Sequence, residues 1–271
     1  MGFTRSFSDV QIEKMTNGEN SQLFAQLKAD VLAGDVFPAV RINELHFYYK
    51  GGCLYKFSGF GFKRDKNYKK FGVGFETLSP YGKAKKENEL KYRKASGGQA
   101  ERQLLDGLYR HTFAEHSSSI VVLDIEVNLG GQAVRKCDLV LLNTLTDEIM
   151  FVEGKVFSDR RVKTSIPSVP EVIEQVNGYS NAIRSQEQTI LEQYARHIDI
   201  VNGLFGSSFR PPKKLVQPAK LLVYNTPEKL TINGEHSIGK IDSGLGAGNV
   251  LWVAPCSSPT LSDIWNGLSS K

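Results

Sequence analysis

The feature that most constrains this chain is an apolar strand that carries two opposite charges. Residues 151–157 read Phe-Val-Glu-Gly-Lys-Val-Phe, with Glu153 and Lys155 inside a hydrophobic run. Burying a carboxylate or an ammonium is costly unless the charge finds a partner. Side chains alternate across a strand, so Glu153 and Lys155 project to the same face. The sequence therefore predicts a charged cluster within the core of a sheet.

A second carboxylate interrupts the preceding strand. Asp138 comes directly before the apolar run 139–142, and only a few residues separate the two strands. Such a short connection favours an antiparallel pair, in which a small register offset places Asp138 opposite Glu153 or Lys155. Two carboxylates this close repel one another unless a cation lies between them, and Mg²⁺ prefers oxygen ligands. We expect Asp138, Glu153 and the Gly154 carbonyl to bind Mg²⁺ or Mn²⁺, and Lys155 to position an attacking water.

A structural interpretation of the same residues is also open. Asp138 and Lys155 would then form a buried ion pair, with Glu153 at the edge of its strand. A carboxylate two positions before a lysine is common by chance, and Glu89-Leu90-Lys91 repeats the spacing in a polar segment. Buried ion pairs seldom add net stability, which favours a functional role for the strand cluster.

The remaining pattern predicts an α/β protein in two parts. Residues 1–95 are expected to form a smaller α+β region and residues 96–271 the main domain, with a soft boundary in the polar segment 83–98. Helical spacing predicts helices over 20–33 and 99–113, and a third that begins near Ser168 with a capping box. Strand patterns lie at 119–129, 134–143, 148–157, 220–226 and 249–255, at 71–78, and around a hairpin turn at Gly51-Gly52.

Positive charge is concentrated in the first part. Residues 1–95 contain 17 Lys and Arg against 10 Asp and Glu, whereas the remainder contains 17 against 19. Basic side chains interleaved with Phe and Tyr suit a nucleic-acid backbone and its bases, and a solvated Lys-rich face on a small sheet is the alternative. The candidate phosphate contacts in this part are Lys63, Arg64, Lys69 and Lys70. Three more follow the charged strand, where a solvated loop is the alternative: Arg160, Arg161 and Lys163.

At this point the residues resemble a known family. An Asp, a short gap and Glu-x-Lys on a meander after a helix resemble the PD-(D/E)XK nuclease superfamily. Gln175-x-x-x-Tyr179, in the next helix, resembles the RecB-type members, and positions i and i+4 share one helix face. The resemblance covers roughly residues 99–226. It implies a restriction-endonuclease-like core, with a central mixed β-sheet flanked by helices, in which Gln175 and Tyr179 support the site.

The resemblance also implies one further metal ligand, and the chain differs from the family motif at one position. Family members often have a glutamate on the first helix that helps with the metal, and Glu101 occupies that helix here. Cys137 stands where the family name has Pro. An upstream active-site histidine also occurs in some RecB-type members, but neither His111 nor His116 can be aligned with it.

Several classes of site are not expected. The three cysteines are scattered, so we expect reduced thiols and no iron–sulfur cluster, and no P-loop or dinucleotide motif predicts a nucleotide cofactor. The longest apolar runs are of strand length, and the first residues lack a secretory h-region, so we expect a cytoplasmic protein without a membrane partner. Asp124 and Glu126 share a strand face, where solvent-facing positions on an edge strand are favoured over a role near the metal.

Taken together, these patterns predict a metal-dependent nuclease that hydrolyses phosphodiester bonds of DNA, with RNA not excluded. It would act in defence or restriction, repair or recombination, and a protein partner would supply any unwinding or targeting. The rival hypothesis is a catalytically inactive nucleic-acid-binding or assembly module that keeps the same fold. The sequence leaves oligomeric state and strand preference open.

Overall fold

The structure is a computed structural model of the 271-residue chain that describes residues 3–59, 61–64, 79–92, 98–114, 118–129 and 136–269. The described residues divide into two compact units. The N-terminal unit takes in residues 4–117 and 193–209, and the C-terminal unit takes in residues 1–3, 118–192 and 210–271.

The N-terminal unit is built on a four-stranded antiparallel sheet in the order of the chain. Its strands are β1 (Phe37–Arg41), β2 (Glu44–Tyr49), β3 (Gly52–Phe57) and β4 (Phe62–Lys63). Its helices are α1 (Asp9–Thr16), α2 (Ser21–Leu32), α3 (Pro80–Tyr92) and α4 (Gly98–Tyr109). The predicted hairpin is confirmed, although Lys50 and Gly51 form the turn, both with positive φ, and Gly52 begins β3.

The helix α3 corrects the expectation of a polar connection over residues 83–98. Its apolar content is low, so its position depends on polar contacts rather than on a hydrophobic stripe. The Tyr81 hydroxyl donates to Asp30 at 2.5 Å, and Lys85 Nζ lies 2.8 Å from the same carboxylate. The Asn88 amide donates to the Tyr49 carbonyl. The strand predicted over 71–78 lies outside the described residues.

The division between the units differs from the predicted boundary at residues 95 and 96. Helix α4 belongs to the N-terminal unit, where the Asp106 carboxylate accepts the Gly51 N–H at 3.0 Å. The ring of Tyr109 also packs on Phe37, with the ring centroids 5.2 Å apart. These contacts attach α4 to the β2–β3 turn and to β1.

The C-terminal unit contains a five-stranded mixed sheet, so the predicted α/β class with a mixed sheet flanked by helices is confirmed. The strands are β5 (Ile120–Val127), β6 (Cys137–Asn143), β7 (Glu148–Val156), β8 (Lys214–Tyr224) and β9 (Val250–Trp252). They lie in numerical order, with β5, β6 and β7 antiparallel and with β8 and β9 added in parallel. The helices are α5 (Glu171–Ser185), α6 (Glu187–Phe205, which ends in the N-terminal unit), α7 (Ile232–Leu245) and α8 (Leu261–Ser269).

The start of α5 differs from the predicted capping box. Pro170 is the N-cap, its φ and ψ are −59° and 127°, and no side chain caps the helix. The Ser168 N–H instead donates to the Ser165 carbonyl within the preceding loop. The first N–H groups of α5 are partly satisfied by that loop, because the Val172 N–H donates to the Arg161 carbonyl at 3.0 Å.

The turn between β6 and β7 fixes the register of the sheet. The Asn143 side chain accepts the N–H groups of Leu145 and Thr146 at 3.0 and 3.2 Å. Asp147 closes the turn with a φ of 57°, a conformation that aspartate tolerates better than most residues. The resulting ladder pairs Asn143 with Glu148 and continues residue by residue toward the other end of both strands.

Asp147 also ties this turn to the start of β8. Its carboxylate lies 2.9 Å from Arg210 Nε and 2.8 Å from Lys213 Nζ, and its carbonyl accepts the Lys213 N–H. The hydrogen bond from Lys213 and the charge of Arg210 lower the pKa of the Asp147 carboxyl. Within the described residues, no helix is both long and apolar enough to cross a membrane.

We predict that Asp147→Asn lowers the free energy of unfolding by roughly 0.5–1 kcal/mol at pH 7, because two ion pairs are lost while asparagine keeps the turn conformation. The pKa of the Asp147 carboxyl is lower in the folded protein than its unfolded-state value of about 3.9. The ion pairs of Asp147 therefore stabilise the fold fully above the unfolded-state pKa, and this stability is lost as the pH falls through the folded-state pKa. The stabilities of the two proteins, measured by thermal melts, should therefore differ by a constant amount above about pH 5, and the difference should vanish only as the pH falls below the lowered folded-state pKa of Asp147. A difference that persists unchanged into acid would contradict this role for Asp147.

Candidate functional site

The β6–β7 register places Asp138 beside the charged segment of β7. The ladder pairs Leu139 with Val152, and one further step puts Asp138 opposite Glu153. The Gly154 N–H donates to Asp138 Oδ2 at 2.9 Å, so the carboxylate is held by the neighbouring strand's backbone. The short turn therefore brings Asp138 beside Glu153 and Gly154, as the sequence predicts.

Lys155 lies between the two carboxylates. Its Nζ is 2.6 Å from Glu153 Oε1 and 3.4 Å from Asp138 Oδ2, and it also donates to the Gly154 carbonyl at 2.5 Å. The side chains of Glu153 and Lys155 are 1% and 2% exposed, whereas that of Asp138 is 20% exposed. The cluster therefore reaches solvent on the Asp138 side. The alternative with Glu153 at a strand edge is wrong, because Glu153 is buried and is the nearer partner of Lys155.

Helix α5 holds Glu153 from above the sheet. Gln175 Nε2 donates to Glu153 Oε1 at 2.5 Å and to the Tyr179 hydroxyl at 2.8 Å. The Tyr179 hydroxyl in turn donates to the Lys136 carbonyl at 2.8 Å. Gln175 and Tyr179 are one helical turn apart, which is why one face of α5 supplies both groups. This chain of hydrogen bonds links α5 to β7 and to the residue before β6.

The electrostatics of the cluster keep two nearby groups protonated. Burial raises the pKa of the Tyr179 hydroxyl strongly, and the Glu153 charge raises it further, so the hydroxyl remains a donor. Burial, followed by the charges of Glu153 and Asp138, raises the pKa of the Cys137 thiol well above its ordinary value. The Cys137 thiol is thus a neutral side chain of the core.

The donor set suits a hard divalent cation. Asp138 makes its hydrogen bond to Gly154 and its contact with Lys155 through Oδ2, and its side chain is 20% exposed. A cation would have two carboxylates, the Gly154 carbonyl and water as ligands, all of them oxygen. In the part of the chain that the structure describes, no group of three or more His, Cys, Asp or Glu side chains could hold a metal ion. A cation at Asp138 and Glu153 would therefore have only two carboxylates among its ligands.

Glu101 lies on α4 in the N-terminal unit, whereas Asp138, Glu153 and Lys155 lie in the C-terminal unit. Its role as a third carboxylate stays a prediction.

The predicted phosphate contacts lie in contrasting environments. Arg160 and Lys163 are exposed in the loop after β7. Arg161 instead makes two side-chain hydrogen bonds to Asp159, of 2.9 and 2.6 Å. Burial would raise the pKa of the Asp159 carboxyl, but hydrogen bonds from the Arg161 side chain and backbone outweigh it and lower the pKa. A substrate would have to displace Asp159 to use Arg161 fully.

The predicted contacts of the N-terminal part also differ from one another. Lys63 is exposed on β4, whereas Arg64 Nη2 lies 2.6 Å from Glu87 Oε2 in a partly buried ion pair. Lys69 and Lys70 lie outside the described residues, as does His116. His111 lies after α4 in the N-terminal unit.

Sequence reasoning misjudged Asp124 and overlooked Lys136. Asp124 is fully buried rather than solvent-facing, and its pairing with Val140 puts it on the same sheet face as Asp138. The apolar residues on both sides of Asp124 could have signalled this burial. Lys136 supplies the carbonyl that accepts from Tyr179, and its ammonium lies 3.3 Å from Glu126. A backbone acceptor leaves no trace in side-chain patterns.

We predict that Lys155→Met lowers the free energy of unfolding by about 3–5 kcal/mol in EDTA, because two carboxylates lose the ammonium between them. Denaturant unfolding of the purified proteins measures this loss.

Asp138→Asn in the same buffer is the matched control. Stability should stay unchanged or rise, since Glu153 still neutralises Lys155, one of two repelling carboxylates is gone, and the amide oxygen still accepts the Gly154 N–H. A large loss in Asp138→Asn would favour a structural ion pair between Asp138 and Lys155.

Comparisons with known proteins give no further identification. No protein-family model matches the chain, and neither the curated proteins nor the solved structures contain a significant match. The chemistry of the cluster has to be deduced from its own side chains.

Proposed function

We propose that the chain is a metal-dependent nuclease that hydrolyses phosphodiester bonds of DNA. The observation that carries the proposal is the Asp138–Glu153–Lys155 cluster, enclosed in a sheet and open to solvent on its Asp138 side. Two carboxylates and one ammonium leave a net negative charge in a site that is largely removed from water. A bound divalent cation would balance that charge, and this gives the arrangement a function that packing alone does not require.

Each side chain of the cluster has a distinct role in this proposal. Asp138 and Glu153, with the Gly154 carbonyl, would hold Mg²⁺ or Mn²⁺, which supplies an activated water and stabilises charge on the phosphate. Lys155 would donate to the attacking water and orient it toward the phosphorus. Gln175 keeps Glu153 in one rotamer through its 2.5 Å hydrogen bond, so the ligand geometry is set before the substrate arrives.

The order of elements supports a restriction-endonuclease-like core of the PD-(D/E)XK superfamily. Three antiparallel strands are followed by a helix that carries Gln175 and Tyr179, and then by a strand parallel to β7. Such an enzyme would serve in defence or restriction, repair or recombination. A protein partner would supply any unwinding or targeting, because the chain contains no P-loop.

One observation favours a second candidate function. The Lys155 ammonium already has two acceptors within 2.6 Å, Glu153 Oε1 and the Gly154 carbonyl. Because the Lys155 ammonium has these acceptors without a metal ion, the cluster would also be stable in a nucleic-acid-binding or assembly module that has no catalytic activity. Metal affinity separates the candidates, since a binding module has no use for a cation at Asp138.

We predict that the protein cleaves DNA in Mg²⁺ or Mn²⁺ and that cleavage stops in EDTA. Linear and circular DNA, single- and double-stranded, would show whether free ends are needed. Glu153→Gln and Asp138→Asn should each reduce the rate by at least about 100-fold, because each removes an anionic ligand while keeping the shape of the side chain.

Glu148→Gln is the matched control, because Glu148 is a carboxylate on the same strand that pairs with Lys214 at 2.7 Å. It should cleave at the rate of the unmodified chain. Equal cleavage rates in Glu153→Gln and Glu148→Gln would show that the cluster takes no part in DNA cleavage. Absence of cleavage on every substrate, together with salt-sensitive DNA binding, would favour the binding module.

We predict that Tyr179→Phe weakens metal binding by about 10-fold without unfolding the protein. The variant loses the hydroxyl that joins Gln175 to the Lys136 carbonyl, so Glu153 is held less firmly, and second-sphere losses of this kind typically cost about 10-fold or more. Titration calorimetry with Mn²⁺ measures the affinity. Tyr194→Phe, a buried tyrosine of α6 in the N-terminal unit, is the control. Unchanged Mn²⁺ affinity in Tyr179→Phe would mean that the α5 contacts do not support the cluster.

A further inference from the structure

Two lysines lie directly opposite each other on the four-stranded sheet of the N-terminal unit. Lys56 on β3 pairs with Lys63 on β4, and the same cross-strand line continues through His46 on β2 to Ala39 on β1. Residues paired in this way share one face of a sheet. Lys56 is half-buried and Lys63 is exposed, so the positive end of the line is at the outer edge of the sheet.

Neither lysine has a counterion among the described residues. No carboxylate within that part of the chain lies in ion-pair distance of Lys56 or Lys63. Like charges that face one another across a sheet destabilise the pair. Among the described residues, these two adjacent ammonium groups therefore repel each other without a carboxylate between them.

Other cations of the same unit are treated differently. Arg64 is paired with Glu87, and Lys85 lies within 3.1 Å of both Asp30 and Asp35. These pairs contribute to the attachment of α3, whereas Lys56 and Lys63 form no ion pair within the ranges that the structure describes. The contrast separates cations that hold α3 from two that hold no described element.

The groups that face Lys56 do not neutralise it. His46 lies 2.6 Å from Glu44, which is cross-strand to Arg41, so these three residues form their own small charge cluster. Burial lowers the pKa of His46 to about 4, and the charges of Arg41 and Lys56 act in the same direction against the Glu44 contact. His46 is therefore neutral at pH 7, and Glu44 is occupied by its own neighbours.

We propose that Lys56 and Lys63 form a phosphate-binding edge for a DNA strand. Two ammonium groups on one face of adjacent strands provide neighbouring positive charges for the phosphates of a nucleic-acid backbone. The inference rests on the proposed nuclease function only for the choice of DNA as the polyanion. It replaces Arg64, which is ion-paired, with Lys56, which sequence reasoning did not single out.

The test is DNA binding by the full chain in EDTA, where cleavage does not interfere. Fluorescence anisotropy with labelled single- and double-stranded oligonucleotides gives the affinity between about 50 and 200 mM salt. The double variant Lys56→Gln/Lys63→Gln should lower the slope of log affinity against log salt by about 1.4 for single strands and about 1.8 for duplex. This corresponds to a loss of roughly 20- to 60-fold at 0.1 M salt.

Lys14→Gln/Lys28→Gln is the matched control, since it removes the same charge from helices α1 and α2 of the same unit. Its slope and affinity should equal those of the unmodified chain. An equal loss of DNA affinity in both double variants would mean that only the net charge of the protein matters, and it would overturn the proposal. So would unchanged binding in Lys56→Gln/Lys63→Gln, or retention of the protein on anionic lipid vesicles without any DNA binding.

The two hypotheses fail separately. A chain that binds DNA through Lys56 and Lys63 but cleaves nothing in Mg²⁺ keeps the phosphate-binding edge and loses the nuclease. A chain that cleaves while the double variant binds normally keeps the nuclease and loses the edge. The melting temperature of Lys56→Gln/Lys63→Gln should equal or exceed that of the unmodified chain, because a repulsive pair is removed. A much lower melting temperature would give the lysines a structural role and overturn the proposal.

Discussion

The structure of the C-terminal unit depends on a single ammonium group between two carboxylates. Lys155 is 2% exposed and could not remain charged at the centre of a sheet without Glu153 at 2.6 Å and Asp138 at 3.4 Å. The two carboxylates in turn would repel one another without Lys155. An arrangement of this kind is seldom the most stable way to fill a core, since apolar side chains of similar volume often serve as well or better. Its presence is therefore better explained by chemistry than by folding.

The remainder of the unit can be understood as the means of holding this cluster in one geometry. The Asn143–Asp147 turn sets the register that brings Asp138 opposite Glu153. The central position of β7, between an antiparallel and a parallel neighbour, removes Glu153 and Lys155 from solvent. Helix α5 then adds the amide of Gln175 from above. Three independent elements converge on the same few atoms, so a shift in any one of them would change the distances on which the cluster depends.

The sequence predicts this cluster well because its signals are local. Alternation along β7 places Glu153 and Lys155 on one face, a short turn brings in Asp138, and the spacing of four residues aligns Gln175 with Tyr179. Most strands of the mixed sheet are predicted for the same reason, since continuous apolar runs identify them.

What the sequence does not predict depends on partners that are distant along the chain. Helix α3 has no apolar stripe, and its contacts with Asp30 and the Tyr49 carbonyl come from residues more than 35 positions away. The capping role assigned to Ser168 failed because Pro170, with its fixed φ, takes the N-cap position itself.

Pairing also decides which positive charges are available to a ligand. Arg161 and Arg64 are predicted phosphate contacts in the linear sequence, yet each is within 2.6 Å of a carboxylate in the fold. An ion-paired cation binds phosphate only if its partner is displaced, so its contribution to affinity is reduced. Lys56 and Lys63 form no ion pair within the described residues, so in the proposed phosphate-binding edge an anion would relieve the repulsion between them. A count of basic residues would rank these four cations alike, whereas their pairing in the fold separates the two that hold a carboxylate from the two that do not.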